Sequence, residues 1–243
     1  MPGLRENLLP KLRRLKFSIE STGLRRTFMD VVNHLTAYHA ERDIAFDRKY
    51  RTDTAGRVNT SDLGIEDAEQ REKAILYLPS PVRVTRWMLD NVGVDPREFV
   101  FVDLGCGKGR VVLTAAQYPF QRVVGVEISQ ALSQIAQRNA VNFSAKRCGE
   151  IAIANSDATS FDFPAADTLL HLYHPFEPDV TAAVLARLEQ SLRAHPRRLL
   201  VAYLLYSGAV PAVREVFSRF PWLRETRYEH SLFGHYDWLF FSN

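Results

Sequence analysis

Residues 101–113, "FVDLGCGKGRVVL", combine an acidic residue with three glycines on alternate positions at the end of an apolar run. Asp103 is followed by Gly105, Gly107 and Gly109, and an apolar helical pattern begins directly after them. We expect Gly105 to allow a sharp turn, and Gly107 and Gly109 to let a ligand lie against the backbone. A glycine-rich turn between a strand and a helix predicts a cofactor site.

The spacing of the glycines argues against two common nucleotide sites. A dinucleotide-binding turn has the pattern G-x-G-x-x-G, whereas this turn is G-x-G-x-G with Arg110 in the next position. A P-loop needs Ser or Thr after its lysine, and here Lys108 is followed by Gly109. The sequence therefore matches neither pattern.

Two further acidic residues follow the next two predicted strands. Glu127 lies 18 residues after Gly109 (127 − 109), where a carboxylate can accept both ribose hydroxyls of an adenosine. Asp157 lies in "NSDAT", where an acceptor can meet the adenine amino group. Because ligands bind at the carboxyl ends of strands in open α/β sheets, we expect Asp103, Glu127 and Asp157 to share one crevice.

Strand and helix patterns alternate from Tyr77 onward. Strands are predicted at 99–104, 122–127, 151–155, 168–173, 198–206, 223–232 and 236–241. Helices are predicted at 81–91, 108–118, 130–143, 179–194 and 211–220, with Ser129 as an N-cap. The alternation predicts an α/β fold with a doubly wound, mostly parallel seven-stranded sheet. The short turn between the last two strands predicts a C-terminal antiparallel hairpin strand.

Residues 1–76 are predicted to form a helical N-terminal extension with a lid or linker, ahead of a main domain at 77–243. Helical patterns cover about 4–20 and 24–40, and the polar stretch 43–73 predicts a long loop. Residues 1–51 carry 11 Lys/Arg and 6 Asp/Glu, so the basic excess of the chain lies there. Such a segment can contact nucleic acid, an anionic membrane or an acidic protein, or form a solvated helix face.

Bulk properties indicate a cytoplasmic protein. Only two cysteines are present, which offer neither a disulfide framework nor a metal cluster and fit a reducing compartment. Charges interrupt the N-terminal segment where a signal peptide would be apolar, and no apolar run approaches the roughly 20 residues of a membrane span.

Three segments together resemble class I S-adenosylmethionine-dependent methyltransferases: "VDLGCGKG" (102–109), "VVGVEIS" (123–129) and "NSDAT" (155–159). The resemblance covers about residues 77–243 and includes the C-terminal hairpin. It implies S-adenosylmethionine as cofactor and S-adenosylhomocysteine as product, with Asp103 near the amino group, Glu127 at the ribose and Asp157 at the adenine. The implied cofactor-binding residues are Tyr77, Ser80, Asp103, Gly105, Gly107, Gly109, Glu127, Ile128, Asp157 and Ala158.

The segment "LLHLYHPFEP" (169–178) resembles the Asn/Asp-Pro-Pro-Tyr/Phe motif of methyltransferases that act on amines, with His174 in place of Asn. It is nearer to an Asn-Pro-Phe variant in bacterial methyltransferases of unassigned substrate. His174 is a candidate general base, or alternatively caps the turn or holds the cofactor. Phe176 can stack on a planar substrate, line the methyl pocket or pack in the core. The candidate catalytic residues are His174, Tyr173, Phe176 and Tyr77, and Tyr203 is a further tyrosine that could assist.

Two upstream segments extend the resemblance. "YLPSP" (77–81) is similar to a Tyr-x-Pro-Ser/Thr segment of the same bacterial proteins, and a related segment precedes the glycine motif in seven-strand protein-lysine methyltransferases. This implies that Tyr77 and Ser80 cover the methionine end of the cofactor. "FDRKYRTDTAG" (46–56) resembles a recurring segment of the bacterial group, and it is either a lid over the cofactor or a plain linker.

These features favour N-methylation of an amine acceptor such as a protein lysine. The alternatives are methylation of RNA, for which the basic N-terminal extension is the support, methylation of a small molecule, and a non-catalytic cofactor-binding interaction module. Because the sequence has no carboxylate cluster of the metal-dependent oxygen methyltransferase kind, no metal is predicted. A monomer and a dimer are equally consistent with it.

Overall fold

The computed structural model of the chain describes residues 40–65, 76–230 and 236–243. The helix predicted at about 4–20, and all but the last residue of the helix predicted at about 24–40, lie outside the described residues. The basic excess of residues 1–51 therefore falls mostly outside them as well.

Seven strands form a single sheet, as the sequence predicts. They are β1 (Val100–Leu104), β2 (Arg122–Glu127), β3 (Glu150–Asn155), β4 (Thr168–Tyr173), β5 (Leu199–Tyr206), β6 (Arg224–His230) and β7 (Tyr236–Ser242). The strand order is β3-β2-β1-β4-β5-β7-β6. Strand β7 runs antiparallel to both of its neighbours, while β1 to β5 pair in parallel. The C-terminal hairpin thus inserts its last strand between β5 and β6.

Helices cover both faces of this sheet. They are α1 (Ala40–Tyr50), α2 (Val82–Asn91), α3 (Arg110–Ala115), α4 (Gln130–Asn142), α5 (Pro178–Ala194) and α6 (Val210–Ser218). The predicted α4 cap is confirmed, because the Ser129 hydroxyl accepts the Leu132 N–H at 3.2 Å. Helix α3 is shorter than predicted and ends at Ala115. Within the described parts of the chain, no helix is long and apolar enough to cross a membrane.

The period-2 alternation of side chains divides the core into two layers. On β1, Val100, Val102 and Leu104 pack in the layer with α5 and α6. Phe101 packs on the opposite face, in the layer that contains α2 and α3. Asp103 has the same parity as Phe101, so a carboxylate enters the second layer at the carboxyl end of the central strand.

Helix α1 replaces the first part of the predicted long loop. Its side chains in the buried core are Phe46 and Tyr50, four residues apart, and its other large apolar side chain, Ile44, is exposed. Two buried apolar positions are too few to predict a helix from the sequence. The ring of Tyr50 lies 5.0 Å from that of Phe143, the residue that follows α4, so tertiary packing supplies the missing signal.

The last turn of α1 and the residues that follow it fold around one carboxylate, and we call residues 47–55 the clasp. The Asp47 carboxylate accepts hydrogen bonds from the Thr52 hydroxyl, from the N–H and hydroxyl of Thr54, and from the Ala55 N–H, at 2.6 to 2.8 Å. Because one side chain satisfies four donors of the segment, residues 51–55 of the clasp have a defined shape beyond the end of the helix.

The clasp is joined to the glycine turn by three side chains. The Lys108 ammonium donates to the Asp53 carboxylate at 2.9 Å and to the Ala55 carbonyl at 3.0 Å. The Arg110 Nε donates to the Thr54 hydroxyl at 2.8 Å. The Asn139 amide of α4 accepts the Asp53 N–H at 2.8 Å and donates to the Asp53 carbonyl at 2.8 Å and the Lys108 carbonyl at 2.9 Å. The clasp, the glycine turn and α4 are therefore one hydrogen-bonded unit.

Asn139→Ala should destabilise this unit, because it removes three hydrogen bonds and leaves their backbone partners unsatisfied. We expect the free energy of unfolding to fall by about 2–4 kcal/mol. Asn142→Ala, at an exposed position on the same helix, is the matched control and should change it by about 0.5 kcal/mol or less. Urea unfolding of both variants measures the difference, and equal stabilities would contradict the role given to Asn139.

Candidate active site

A cavity of about 460 Å³ lies at the carboxyl ends of β1, β2 and β4. Of the residues that the sequence predicts for the site, all but Gly109 line it. These lining residues are Tyr77, Ser80, Asp103, Gly105, Gly107, Glu127, Ile128, Asp157, Ala158, Tyr173, His174 and Phe176. The volume falls within the roughly 300–1,000 Å³ of small-molecule sites.

The three glycines of the turn all have positive φ, at 74°, 54° and 88°, which explains the residue type. Neighbouring side chains lie where a Cβ would stand at two of these glycines, which the sequence does not predict. A Cβ on Gly107 would lie 2.1 Å from the ring of Tyr77, and one on Gly109 would lie 3.3 Å from the Cβ of Ala136 in α4. Protein side chains therefore occupy the space at Gly107 and Gly109. Because Gly109 does not line the cavity, we correct its expected reason from ligand approach to packing against α4, whereas Gly107 lines the cavity and ligand approach there stays a prediction.

Glu127 holds the glycine turn and the start of α4 together. One carboxylate oxygen accepts the Gly107 N–H at 2.8 Å, and the other accepts the Ser129 N–H at 2.9 Å. Burial raises the pKa of Glu127, and these two hydrogen bonds oppose that rise. Each carboxylate oxygen has a second lone pair for a polar group of a ligand.

Asp157 and the end of β3 complete the edge of the cavity. The Asp157 carboxylate accepts both the N–H and the hydroxyl of Thr159 at 2.8 Å. The Asn155 amide donates to the carbonyls of Glu127 and Ile128 at 2.8 and 3.0 Å. These bonds fix the ends of β2 and β3 relative to each other, so Glu127 and Asp157 face the same cavity.

Asp103 is paired with a histidine that the sequence reasoning missed. The Asp103 carboxylate lies 2.7 Å from Nδ1 of His171, and both side chains are buried. His171 is the register partner of Asp103 on β4, so the parallel pairing of β1 with β4 is the signal that could have found it. Burial raises the pKa of Asp103, and His171 opposes that rise.

The cysteine in the glycine turn does not supply a nucleophile. Cys106 is buried, and burial together with the nearby carboxylates of Glu127 and Asp103 raises the pKa of its thiol well above the ordinary value. The thiol is therefore protonated near neutral pH.

The tyrosines around the cavity are hydrogen-bonding groups and not bases. The Tyr77 hydroxyl donates to the Thr54 carbonyl at 2.8 Å and thereby joins the cavity wall to the clasp. The Tyr173 hydroxyl lies 3.2 Å from that of Tyr206. Burial raises the pKa of both Tyr173 and Tyr203, so their hydroxyls keep their protons near neutral pH.

His174 has an unusual backbone and a neutral side chain. Its φ is +37°, a region where Asn, Asp and His are the enriched non-glycine residues, which accounts for His at a position where similar motifs have Asn. Its Nδ1 lies 3.2 Å from the Tyr203 hydroxyl. Burial lowers the pKa of His174 from 6.5, although Glu177 opposes this. The imidazole is therefore unprotonated near pH 7 and can accept a proton.

The two ends of the cavity differ in charge. Arg110 is the one cation among the described residues that line it, and it lies at the glycine turn. The other end is lined by Tyr173, His174, Phe176 and Asp179, the last of these in the first turn of α5. No group of three or more His, Cys, Asp or Glu suited to a metal occurs within residues 40–65, 76–230 and 236–243.

None of residues 46–56 lines the cavity, whereas Leu63 and Ile65 do. A lid formed by 46–56 therefore stays a prediction, since in this structure those residues contact the glycine turn and not the cavity.

Comparisons with known proteins find sequence similarity to methyltransferases. The family described as "Methyltransferase domain" matches residues 101–195, which run from β1 to the end of α5. A curated protein-lysine N-methyltransferase of Saccharolobus islandicus is 44% identical over 54 residues, which is 22% of this chain and 33% of that protein. The matched part thus spans about a third of the length of that relative.

Solved structures share the fold. A SAM dependent methyltransferase from Aquifex aeolicus superposes with a TM-score of 0.54 and 13% identity, covering 67% of this chain and 93% of its own. A ribosomal protein L11 methylase from Lactobacillus delbrueckii subsp. bulgaricus gives a TM-score of 0.52 and 13% identity, covering 70% and 81% respectively. In its family match over residues 101–195, its sheet order and its glycine turn, this chain is similar to class I S-adenosylmethionine-dependent methyltransferases.

Proposed function

We propose that the protein binds S-adenosylmethionine in the cavity and transfers its methyl group to an amine nitrogen, such as that of a protein lysine. The observation that carries the amine acceptor is the charge of the acceptor end, where Asp179 lines the wall, Glu177 acts on His174, and no described Lys or Arg is present. Such a surface attracts an ammonium group and repels a phosphate. The lysine methyltransferase of Saccharolobus islandicus supports the same choice.

The residues present fit the cofactor. Glu127 would accept hydrogen bonds from the ribose hydroxyls, Asp157 would accept one from the adenine amino group, and Asp103 would receive the ammonium of the methionine part. When bound, the cofactor supplies a methyl group on a positively charged sulfur. Tyr77, Ser80, Ile128 and Ala158 would enclose it, and Gly105, Gly107 and Gly109 would hold the turn in shape.

The acceptor must lose a proton before its nitrogen can attack the methyl group. If Nδ1 of His174 donates to the Tyr203 oxygen, Nε2 keeps a lone pair that can take this proton. Tyr203 then fixes the ring orientation and tautomer. Tyr173 and Phe176 line the wall beside His174, where they would position the acceptor and exclude water.

Gly107→Ala should weaken cofactor binding. The added methyl would lie 2.1 Å from the Tyr77 ring, so the ring must move and its hydrogen bond to the clasp is lost. We expect the affinity for S-adenosylmethionine to fall about tenfold or more, which corresponds to about 1.4 kcal/mol. Isothermal calorimetry measures it. Gly208→Ala, where a Cβ meets nothing within 4 Å, is the control, and an unchanged affinity in Gly107→Ala would contradict the assignment.

The acceptor class can be determined by labelling. We expect the protein, incubated with a cell lysate and methyl-tritiated cofactor, to label material that protease destroys and nuclease leaves intact. Glu127→Ala should abolish the label, because it removes the acceptor of the Gly107 and Ser129 N–H groups. Label sensitive to nuclease would instead favour RNA, and label resistant to both enzymes a small molecule. No label at all would favour an interaction module without catalysis.

His174→Asn separates backbone geometry from proton transfer, because Asn also tolerates positive φ. We expect thermal stability within a few degrees of wild type and a fall in kcat of about 10²–10⁴-fold. Wild-type kcat should rise with pH through the lowered pKa of His174 and level off by neutral pH, whereas the variant should lack this step. His195→Asn, at an exposed position, is the control. A variant that keeps the wild-type pH profile would assign His174 to the turn alone.

A further inference from the structure

Asp103 and His171 form a buried pair in which only one member reaches the cavity. Asp103 is 3% exposed and lines the cavity, whereas His171 is 0% exposed and does not. The two residues are register partners on β1 and β4, and Nδ1 of His171 lies 2.7 Å from one carboxylate oxygen of Asp103. His171 therefore contacts Asp103 from beneath the floor of the cavity.

The surroundings of His171 indicate where its proton lies. Nε2 of His171 is buried without a hydrogen-bond partner among the described residues. The imidazole packs against the rings of Phe101 and Trp238, with centroids 6.2 and 5.7 Å away. A proton on Nε2 would be a buried donor without an acceptor, which is costly. The favoured state is a neutral imidazole with its proton on Nδ1, donated to the Asp103 carboxylate.

The pair then carries one negative charge and no compensating cation. The ionisable groups of the described chain that act on or are acted on by Asp103 are His171 on β4, Glu127 on β2 and Cys106 in the glycine turn. With His171 neutral, none of the three is positive. Because a buried carboxylate without a positive partner is costly, this part of the cavity is suited to a cationic group of a ligand.

We propose that His171 is a positioning residue that keeps Asp103 ionised and fixes its orientation, so that the other carboxylate oxygen receives the ammonium group of the cofactor. A hydrogen bond donated to a carboxylate favours its charged form, and here it opposes the effect of burial. This inference rests on the proposed cofactor. It adds that His171, which does not contact the cofactor, contributes to the recognition of the methionine end of the cofactor.

Binding of two ligands separates this role from a general effect on folding. S-adenosylhomocysteine carries the ammonium group, and 5′-methylthioadenosine shares the adenosine and sulfur but lacks the amino acid part. In calorimetry, His171→Leu should weaken binding of S-adenosylhomocysteine about 10- to 100-fold and leave binding of 5′-methylthioadenosine within about twofold. His171→Asn retains a side-chain N–H donor and should restore most of the affinity.

The pH dependence provides a second readout. Without the His171 donor the pKa of Asp103 rises further, so its carboxylate is protonated over more of the acid range. The affinity of His171→Leu for S-adenosylhomocysteine should therefore increase as the pH rises out of the acid range, while that of the wild type changes less. A 15N spectrum of the wild-type histidines provides a check that needs no variant, and we expect His171 to be protonated on Nδ1.

The outcomes distinguish this inference from the proposed function. Wild-type protein that binds neither ligand overturns the cofactor assignment and this inference with it. If the wild type binds both ligands, equal losses for both in His171→Leu, or no loss for either, overturn the role of His171 alone. A proton on Nε2 of His171 in the spectrum overturns it as well, even if the leucine variant does not fold.

Discussion

The arrangement of the site depends on one buried carboxylate. Glu127 ends β2 and accepts one backbone N–H from the glycine turn and one from the start of α4. Two loops that leave neighbouring strands are thereby held to the same group. Because burial raises its pKa, the carboxylate depends on those two donors to stay charged, and the donors depend on it to be satisfied. The loops and the carboxylate therefore stabilise each other at the cavity wall.

The cavity beside Glu127 has two ends that differ in their chemistry. At the glycine end, carboxylates from β1 and β2 and the acid after β3 face a space enclosed by backbone and by Tyr77. At the other end, aromatic rings and His174 follow β4, beside the acidic start of α5. The first end is polar and held in shape by hydrogen bonds, which suits the proposed cofactor. The second is aromatic and carries Asp179, which suits the amine acceptor that we propose.

The sequence predicts the parts of this molecule that depend on neighbours along the chain. Strands, helices, the Ser129 cap and the acids at the strand ends follow from periodicity and turn residues. The roles of Asn139 and His171 could not be predicted from the sequence, because their partners Asp53 and Asp103 lie 86 and 68 residues away along the chain. Helix α1 could not be predicted either, because packing against the core, and not its own apolar pattern, stabilises it. The glycines were predicted correctly in place, yet side chains pack against two of them, which only the fold reveals.

The clasp has a consequence for the order in which the molecule assembles. Its bonds to α4 close a loop of 86 residues, and the ones to the glycine turn span a little over 50. Closing such loops costs chain entropy that only an already formed sheet can offset. We therefore expect the clasp to dock after the folding transition state, with weakened clasp contacts accelerating unfolding more than they slow folding. The segment would then detach before the sheet unfolds, and the glycine turn would lose the bonds that Lys108 and Arg110 make to the clasp.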